Sequence, residues 1–219
     1  MTTADRDVVQ VVYDRLFHRF GPQHWWPAET PFEVVVGAIL TQNTAWRNVA
    51  KCIEVLRRER LLNLDALSAV PASALAEWIR SSGYYNQKAL RLKNFCEHIQ
   101  SRWMGNLDDF LSQDMESLRA ELLSLRGVGP ETADSIVLYA AHQPSFVVDA
   151  YTHRIFSRHG WIPEQIAYDD LREYFMDRLT PDVKLFQEYH ALLVRTGHLH
   201  CRRKADCGTC PLHGVSDRH

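Results

Sequence analysis

Residues 114–149, DMESLRAELLSLRGVGPETADSIVLYAAHQPSFVVD, constrain the fold of this chain more than any other stretch. An amphipathic helix ends at a tight turn built from Gly127, Val128 and Gly129, and a second helix starts with Pro130 in its first turn and Glu131 beside it. Two helices joined in this way form a hairpin. Glycines at both turn positions permit left-handed backbone, and they expose successive N–H groups beside a helix N-terminus whose dipole favours an anion. A DNA phosphate suits that geometry, and such contacts position a duplex without reading its sequence. A GxG by itself is also an ordinary interhelical turn, so the rest of the chain has to decide.

The rest reads as helix. Val8, Val9, Val12, Tyr13, Leu16, Phe17 and Phe20 recur at helical spacing until Gly21 and Pro22 stop the run. Residues 31–41 are apolar and rich in β-branched side chains, but Gly37 and Ala38 interrupt them and the pattern continues helically, which predicts a buried helix. Further helices are predicted at 45–59, 64–69, 71–80, 86–103, 107–112, 114–124, 130–142, 150–159, 167–178 and 182–197, each bounded by Gly, Pro, Asp or Ser. No alternating strand pattern and no internal repeat accompany them, and the connections are short. An all-α body follows.

With 46% hydrophobic and 24% charged residues, the composition is that of an ordinary globular protein. There is no run of 18 apolar residues, and the acidic, polar start MTTADRDVVQ does not resemble a leader, so a cytoplasmic protein without a membrane partner is expected. The net charge of −2 supplies no overall field for nucleic acid. Local basic clusters do occur, at Arg47, Lys51, Arg57, Arg58 and Arg60, at Lys88, Arg91 and Lys93, and at Arg195, Arg202, Arg203 and Lys204. A solvated helix face would account for each cluster taken alone. Of five cysteines, Cys52 and Cys96 fall in apolar helical patterns as core thiols, whereas Cys201, Cys207 and Cys210 crowd the C-terminus as a metal cluster would.

The hairpin segment resembles the helix-hairpin-helix DNA glycosylases. Their signature LxGVGxxTAxxxL…VD is matched by Leu125, Gly127, Val128, Gly129, Thr132, Ala133, Leu138, Val148 and Asp149. The resemblance implies a two-domain helix-hairpin-helix glycosylase fold, all-α, with the active-site cleft between the domains. It implies an N-terminal helix at 1–24 packing with a C-terminal domain at 144–219, and a helical barrel at 25–143. Double-stranded DNA with a damaged base is the implied partner of a monomeric enzyme. Asp149, eighteen residues past Glu131, takes the place of the family's catalytic carboxylate, where it would stabilise positive charge on the sugar or activate water. Read alone, the same residue would be a helix cap for Ala150 onward. Bifunctional members such as endonuclease III carry an imine-forming lysine where this chain has Glu131, and a carboxylate cannot form an imine.

Upstream, AILTQNTAW is similar to the endonuclease III stretch whose glutamine fills the gap left by a flipped nucleotide, matched by Gln42 with Asn43 beside it. The motif SGYYNQKALRL extends the likeness and brings Lys88 in as a DNA contact, together with Gly127, Val128, Gly129 and Thr132. Trp25, Trp26 and Pro27, with Trp46 just after QNT, look like the base sandwich of the 3-methyladenine glycosylase branch. Indole faces attract positively charged N-alkylated purines, although adjacent tryptophans also anchor loops to cores. A monofunctional alkylated-base glycosylase is therefore expected. The rivals are an oxidised-pyrimidine glycosylase with lyase activity, a mismatch adenine glycosylase, and a non-catalytic damage-binding protein.

The C-terminal RTGHLHCRRKADCGTCPL resembles the iron–sulfur tail of endonuclease III. A [4Fe–4S] cluster takes four protein ligands, and Cys201, Cys207 and Cys210 supply three. His213 or Ser216 is the candidate fourth, with zinc or no metal as the alternatives.

Overall fold

Polar caps decide where the helices start. In the computed structural model, which describes residues 7–215, Asp7 caps α1 (Val8–Phe20) and Thr30 caps α2 (Pro31–Thr41), where Pro31 opens the first turn. No side chain caps α3 (Trp46–Arg58); Asn63 caps α4 (Leu64–Ala69). Next come α5 (Ala72–Trp78), a tight 3-10 turn at Arg80–Ser82, and α6 (Tyr85–Arg102). Asn106 caps α7 (Leu107–Leu111) and Asp114 caps α8 (Met115–Ser124). Gly129 starts α9 (Pro130–Tyr139) without a side-chain cap, and Asp149 caps α10 (Ala150–Arg158). The chain then forms α11 (Tyr168–Met176) and α12 (Val183–Leu199), the latter capped by Asp182. Each of these caps satisfies a helix amide that would otherwise lack a partner, at a typical gain of about 1 kcal/mol.

No strand occurs among the described residues. The sequence expectation of one helix over 71–80 is corrected: the helix stops at Trp78 and residues 80–82 tighten into the 3-10 turn.

The described residues up to Pro27 and those from Pro144 onward form one compact unit; Ala28–Gln143 forms another. Trp25, Trp26 and Pro27 thus go with the first unit, past the expected boundary at 24. In that unit α12 packs on α1 and α10. Phe146, Phe156, Phe175, Phe186 and Tyr189 are fully buried at its centre, and the Phe146 and Phe175 rings stack at 4.2 Å. The Tyr189 hydroxyl donates to the Val9 carbonyl at 2.7 Å, so even the polar tip is satisfied. In the second unit α2 runs through the middle, buried from Phe32 to Leu40, and packs on α3, α6 and α9. Its one buried charge, Glu33, pairs with Arg57 at 2.7 Å.

Candidate active site and DNA interface

Buried Val147 and Val148 deliver Asp149 to the start of α10 in extended backbone. Its Oδ1 accepts from the Thr152 amide at 2.7 Å and the Thr152 hydroxyl at 2.9 Å. Its Oδ2 faces His190 Nε2 on α12 at 3.7 Å, too long for a direct hydrogen bond. Burial pushes the carboxyl up, but the His190 imidazole and the two Thr152 donors outweigh it and hold Asp149 below the usual aspartate range. The result is a carboxylate ionised at neutral pH, with 9% of its side chain still exposed. The two oxygens are used differently: Oδ1 serves the cap, and Oδ2 faces His190.

Two residues that the sequence reading missed shape this arrangement. His190 comes from an apolar stretch of α12, where it had no distinguishing context. Gly197, further along α12, lets α10 approach closely, because a Cβ there would collide with the Tyr151 ring.

In the other unit the hairpin turns at Gly127 with φ +93°. Gly129 is instead extended at φ −96°, so only one of the two glycines uses the left-handed backbone open to both. The two glycines do different work. At Gly127 a Cβ would sit 2.5 Å from Arg91 Cγ, so the backbone angle and the neighbour both oppose a side chain; at Gly129 nothing lies within 4 Å. Neither glycine N–H has a partner among the described residues, and both stay available beside the start of α9. Val128 is buried and Thr132 lies in the first turn of α9.

Gln42 ties the QNT turn to the hairpin: its Nε2 donates to the Gly127 carbonyl and to Thr132 Oγ1, both at 2.9 Å. Its Oε1 accepts from Arg91 Nη1. Asn43 follows, exposed and in left-handed backbone at φ 54°.

Lys88, expected as a DNA contact, is turned into the protein instead. Its side chain is buried, and Nζ donates to the Leu40 carbonyl at 2.8 Å and the Ser82 carbonyl at 2.6 Å. Burial lowers its pKa to about 8. The lysine acts as a staple that draws the end of α2, just before Gln42, to the turn that presents Tyr84. Tyr84 was also missed; it is 67% exposed and sits in left-handed backbone at φ 46°. Bulky residues adopt that conformation at a cost, often where a side chain must be presented.

Glu131 is exposed in the first turn of α9. Trp25 and Trp26 are half-buried and meet edge to face at 6.2 Å, with Pro27 exposed after them; Trp46 opens α3 in the other unit.

Around the C-terminal cysteines the chain is held chiefly by α10. Arg154 donates to the Cys201 carbonyl at 2.7 Å, and Arg158 donates to the Cys201 sulfur at 3.5 Å and the Arg202 carbonyl at 2.6 Å. Cys201 is buried, Cys210 half-buried and Cys207 exposed. Burial raises the Cys210 thiol, and the neighbouring Cys207 and Cys201 add to the shift. No three His, Cys, Asp or Glu side chains are grouped to hold a metal ion among the described residues. His213 is exposed and Ser216 lies outside the described residues. Three thiols suit a soft metal, but the set falls one short of the four a cubane cluster uses. No helix among the described residues is long and apolar enough to cross a membrane.

A family model described as the HhH-GPD superfamily base excision DNA repair protein matches residues 36–181. A putative DNA repair glycosylase, MJ1434, of Methanocaldococcus jannaschii is 49% identical over 208 residues, which is 94% of each chain. Endonuclease III of Sulfolobus acidocaldarius is 28% identical over 181 residues, covering 82% of this chain and 78% of its own. Among solved structures, the Helicobacter pylori 3-methyladenine DNA glycosylase MagIII bound to 1,N6-ethenoadenine superposes with a TM-score of 0.76 at 28% identity, over 88% of this chain and 97% of that one. A non-covalent endonuclease III–DNA complex superposes with a TM-score of 0.80 at 24% identity, over 96% and 94% of the two chains. The likeness to that complex is one of fold.

Proposed function

The chain belongs to the HhH-GPD superfamily of base excision DNA repair proteins and is a DNA N-glycosylase, and from that premise we propose that it hydrolyses alkylated bases from duplex DNA by a monofunctional route through Asp149. The observation that carries this reading is the ionised, nearly buried Asp149 carboxylate, with Oδ1 fixed by its cap and Oδ2 facing His190. As the glycosidic bond breaks, positive charge develops on the sugar, and a preorganised carboxylate in a low-dielectric setting stabilises it far more than water does. The same oxygen can accept a proton from the attacking water. His190 acts as a positioning residue, keeping Oδ2 ionised and aimed.

Glu131 supports hydrolysis over lyase chemistry, since the start of α9 offers no amine to attack the sugar carbon. Trp25, Trp26 and Trp46 support an electron-poor, cationic base, which indole faces hold by stacking and cation–π attraction. Asn43, exposed beside the anchored Gln42, serves the gap in the duplex, and Tyr84 offers an exposed aromatic face to unstacked bases. The free amides of Gly127 and Gly129, at the start of α9 with Thr132, take a backbone phosphate. A [4Fe–4S] cluster would take Cys201, Cys207 and Cys210 as ligands, with His213 or Ser216 as the fourth, although no three ligating side chains are grouped among the described residues. A brown protein absorbing near about 400 nm supports the cluster, and stoichiometric zinc in a colourless protein replaces it.

Endonuclease III relatives favour a second reading, an oxidised-pyrimidine glycosylase with lyase activity. A panel of duplexes carrying N-alkylated purine, thymine glycol or 8-oxoguanine opposite adenine, each assayed with and without alkaline cleavage, separates the two. Release of the alkylated purine with strand breaks appearing only after alkali is the expected outcome. Release of thymine glycol with direct strand breaks overturns it.

A further inference from the structure

Gln87, Leu90, Arg91 and Asn94 fall at spacings of three and four on α6, so they share one face of that helix. The opposite face, with Lys88, Ala89, Leu92, Phe95 and Cys96, is buried. The Gln87 face lines a concavity of about 410 Å³ closed on its far side by Arg126 and Gly127, the residues that lead into the hairpin. Its wall carries two guanidinium groups and no carboxylate. Neither arginine makes an ion pair with a described residue.

Arg91 is not a loose surface side chain. Its stem lies across the bare α-carbon of Gly127, in the space a Cβ would need, and its Nη1 is held by Gln42 Oε1. Gln42 in turn is anchored to the Gly127 carbonyl. The guanidinium is thereby ordered before any ligand arrives, so binding an anion there loses little side-chain freedom. Arg126 is exposed and makes no hydrogen bond with a described residue.

We propose that this pocket seats a phosphodiester group of the bound DNA, a second backbone contact beside the one made by the hairpin amides. The inference rests on the hairpin facing DNA but not on the identity of the damaged base. Two cationic forks and the neutral donors of Gln87 and Asn94 match the charge and the hydrogen-bonding needs of a phosphate. The contact would add affinity without sequence preference, and it would fix the hairpin's register on the duplex. It also gives Gly127 a further purpose, since only a residue without a side chain leaves room for Arg91.

The test is equilibrium binding of the full chain to an undamaged duplex over a range of salt concentrations, with Arg126→Gln, Arg126→Lys and Arg126→Glu beside the natural protein. Neutralising one phosphate contact lowers the slope of log affinity against log salt by about 1. Arg126→Gln is expected to lose that slope unit and several-fold in affinity at low salt, Arg126→Lys to retain most of both, and Arg126→Glu to lose more than Arg126→Gln. Arg102→Gln, an exposed arginine at the far end of α6, controls for net charge and should leave the slope unchanged. Unchanged slopes for Arg126→Gln and Arg126→Glu overturn the proposal, as does an equal loss in Arg102→Gln. Inorganic phosphate separates a DNA phosphate from a free anion: if millimolar phosphate protects Arg126 from an arginine-selective reagent as well as the duplex does, the site is for a free anion. Because no lesion is involved, a failure to release alkylated bases would leave this result standing, so the two readings fail separately.

Discussion

The starts of α9 and α10 present the same helix dipole and use it in opposite ways. At α9 the cap is Gly129, which has no side chain, so the amides around it stay open to an outside anion. At α10 the cap is Asp149, whose own carboxylate fills the position and bonds the Thr152 amide. One helix start therefore leaves its amides open, and the other holds a fixed anion whose Oδ1 alone serves the cap.

Substitutions that exchange these roles test the contrast. The largest effect is expected from Asp149→Asn, which preserves a capping side chain but removes the charge. Base release should fall by roughly two orders of magnitude or more in single turnover, with the melting midpoint nearly unchanged. Normal turnover by this variant removes Asp149 from the chemistry. Next is Gly129→Asp, which gives α9 the closed start of α10. Its Cβ enters open space, so the fold should hold or gain slightly, while duplex affinity falls on the order of tenfold because the carboxylate occupies the amides. Gly127→Ala should instead lower the melting midpoint, at a cost of about 1–3 kcal/mol, since left-handed backbone and Arg91 both oppose it. If both glycines tolerate a side chain equally, the division of labour between them is wrong.

A smaller effect is expected from His190→Asn. Loss of the imidazole beside Oδ2 should slow base release by roughly tenfold while duplex affinity stays constant, and His190→Gln should recover part of the rate if donation to Oδ2 is what matters. A parallel loss of affinity and rate would assign His190 to packing alone.

The smallest change concerns Lys88. Its folded pKa of about 8 lies below the ordinary 10.5 because burial penalises the cation, so between those values the unfolded chain holds a proton that the folded chain has released. Stability relative to Lys88→Met should therefore rise as pH increases from about 8 toward about 10.5. A difference in melting midpoint that stays flat across this window would mean that Lys88 stays charged in the fold.

Helix positions were legible because their signals are local. Asp149 reads as a helix cap and Pro130 as a first-turn proline from the sequence alone, and Asp7, Thr30, Asp114 and Asp182 prove to cap their helices in the same local way. What stayed hidden depends on residues far apart in the chain. Lys88 looked like part of a basic patch, although it is one turn before Leu92 on the buried stripe of α6, and that register was the available clue. Gly127 and Gly129 are indistinguishable as letters, and only the path of the chain and the Arg91 stem separate them. His190 gave no signal because its meaning comes from facing Asp149 across 41 residues of sequence. The cap at Asp149 is legible from its place before α10, and it takes only one of the two carboxylate oxygens.

The most direct test of the central claim follows one alkylated-purine duplex with the natural protein in a single-turnover reaction, measuring free base and borohydride-trapped protein–DNA adduct from the same samples. Hydrolysis through Asp149, with Glu131 at the hairpin helix, predicts brisk appearance of free base, intact strands until alkali is added, and no trapped adduct. A trapped adduct that accumulates at the rate of base release would contradict it, because an amine of this chain would then be the nucleophile.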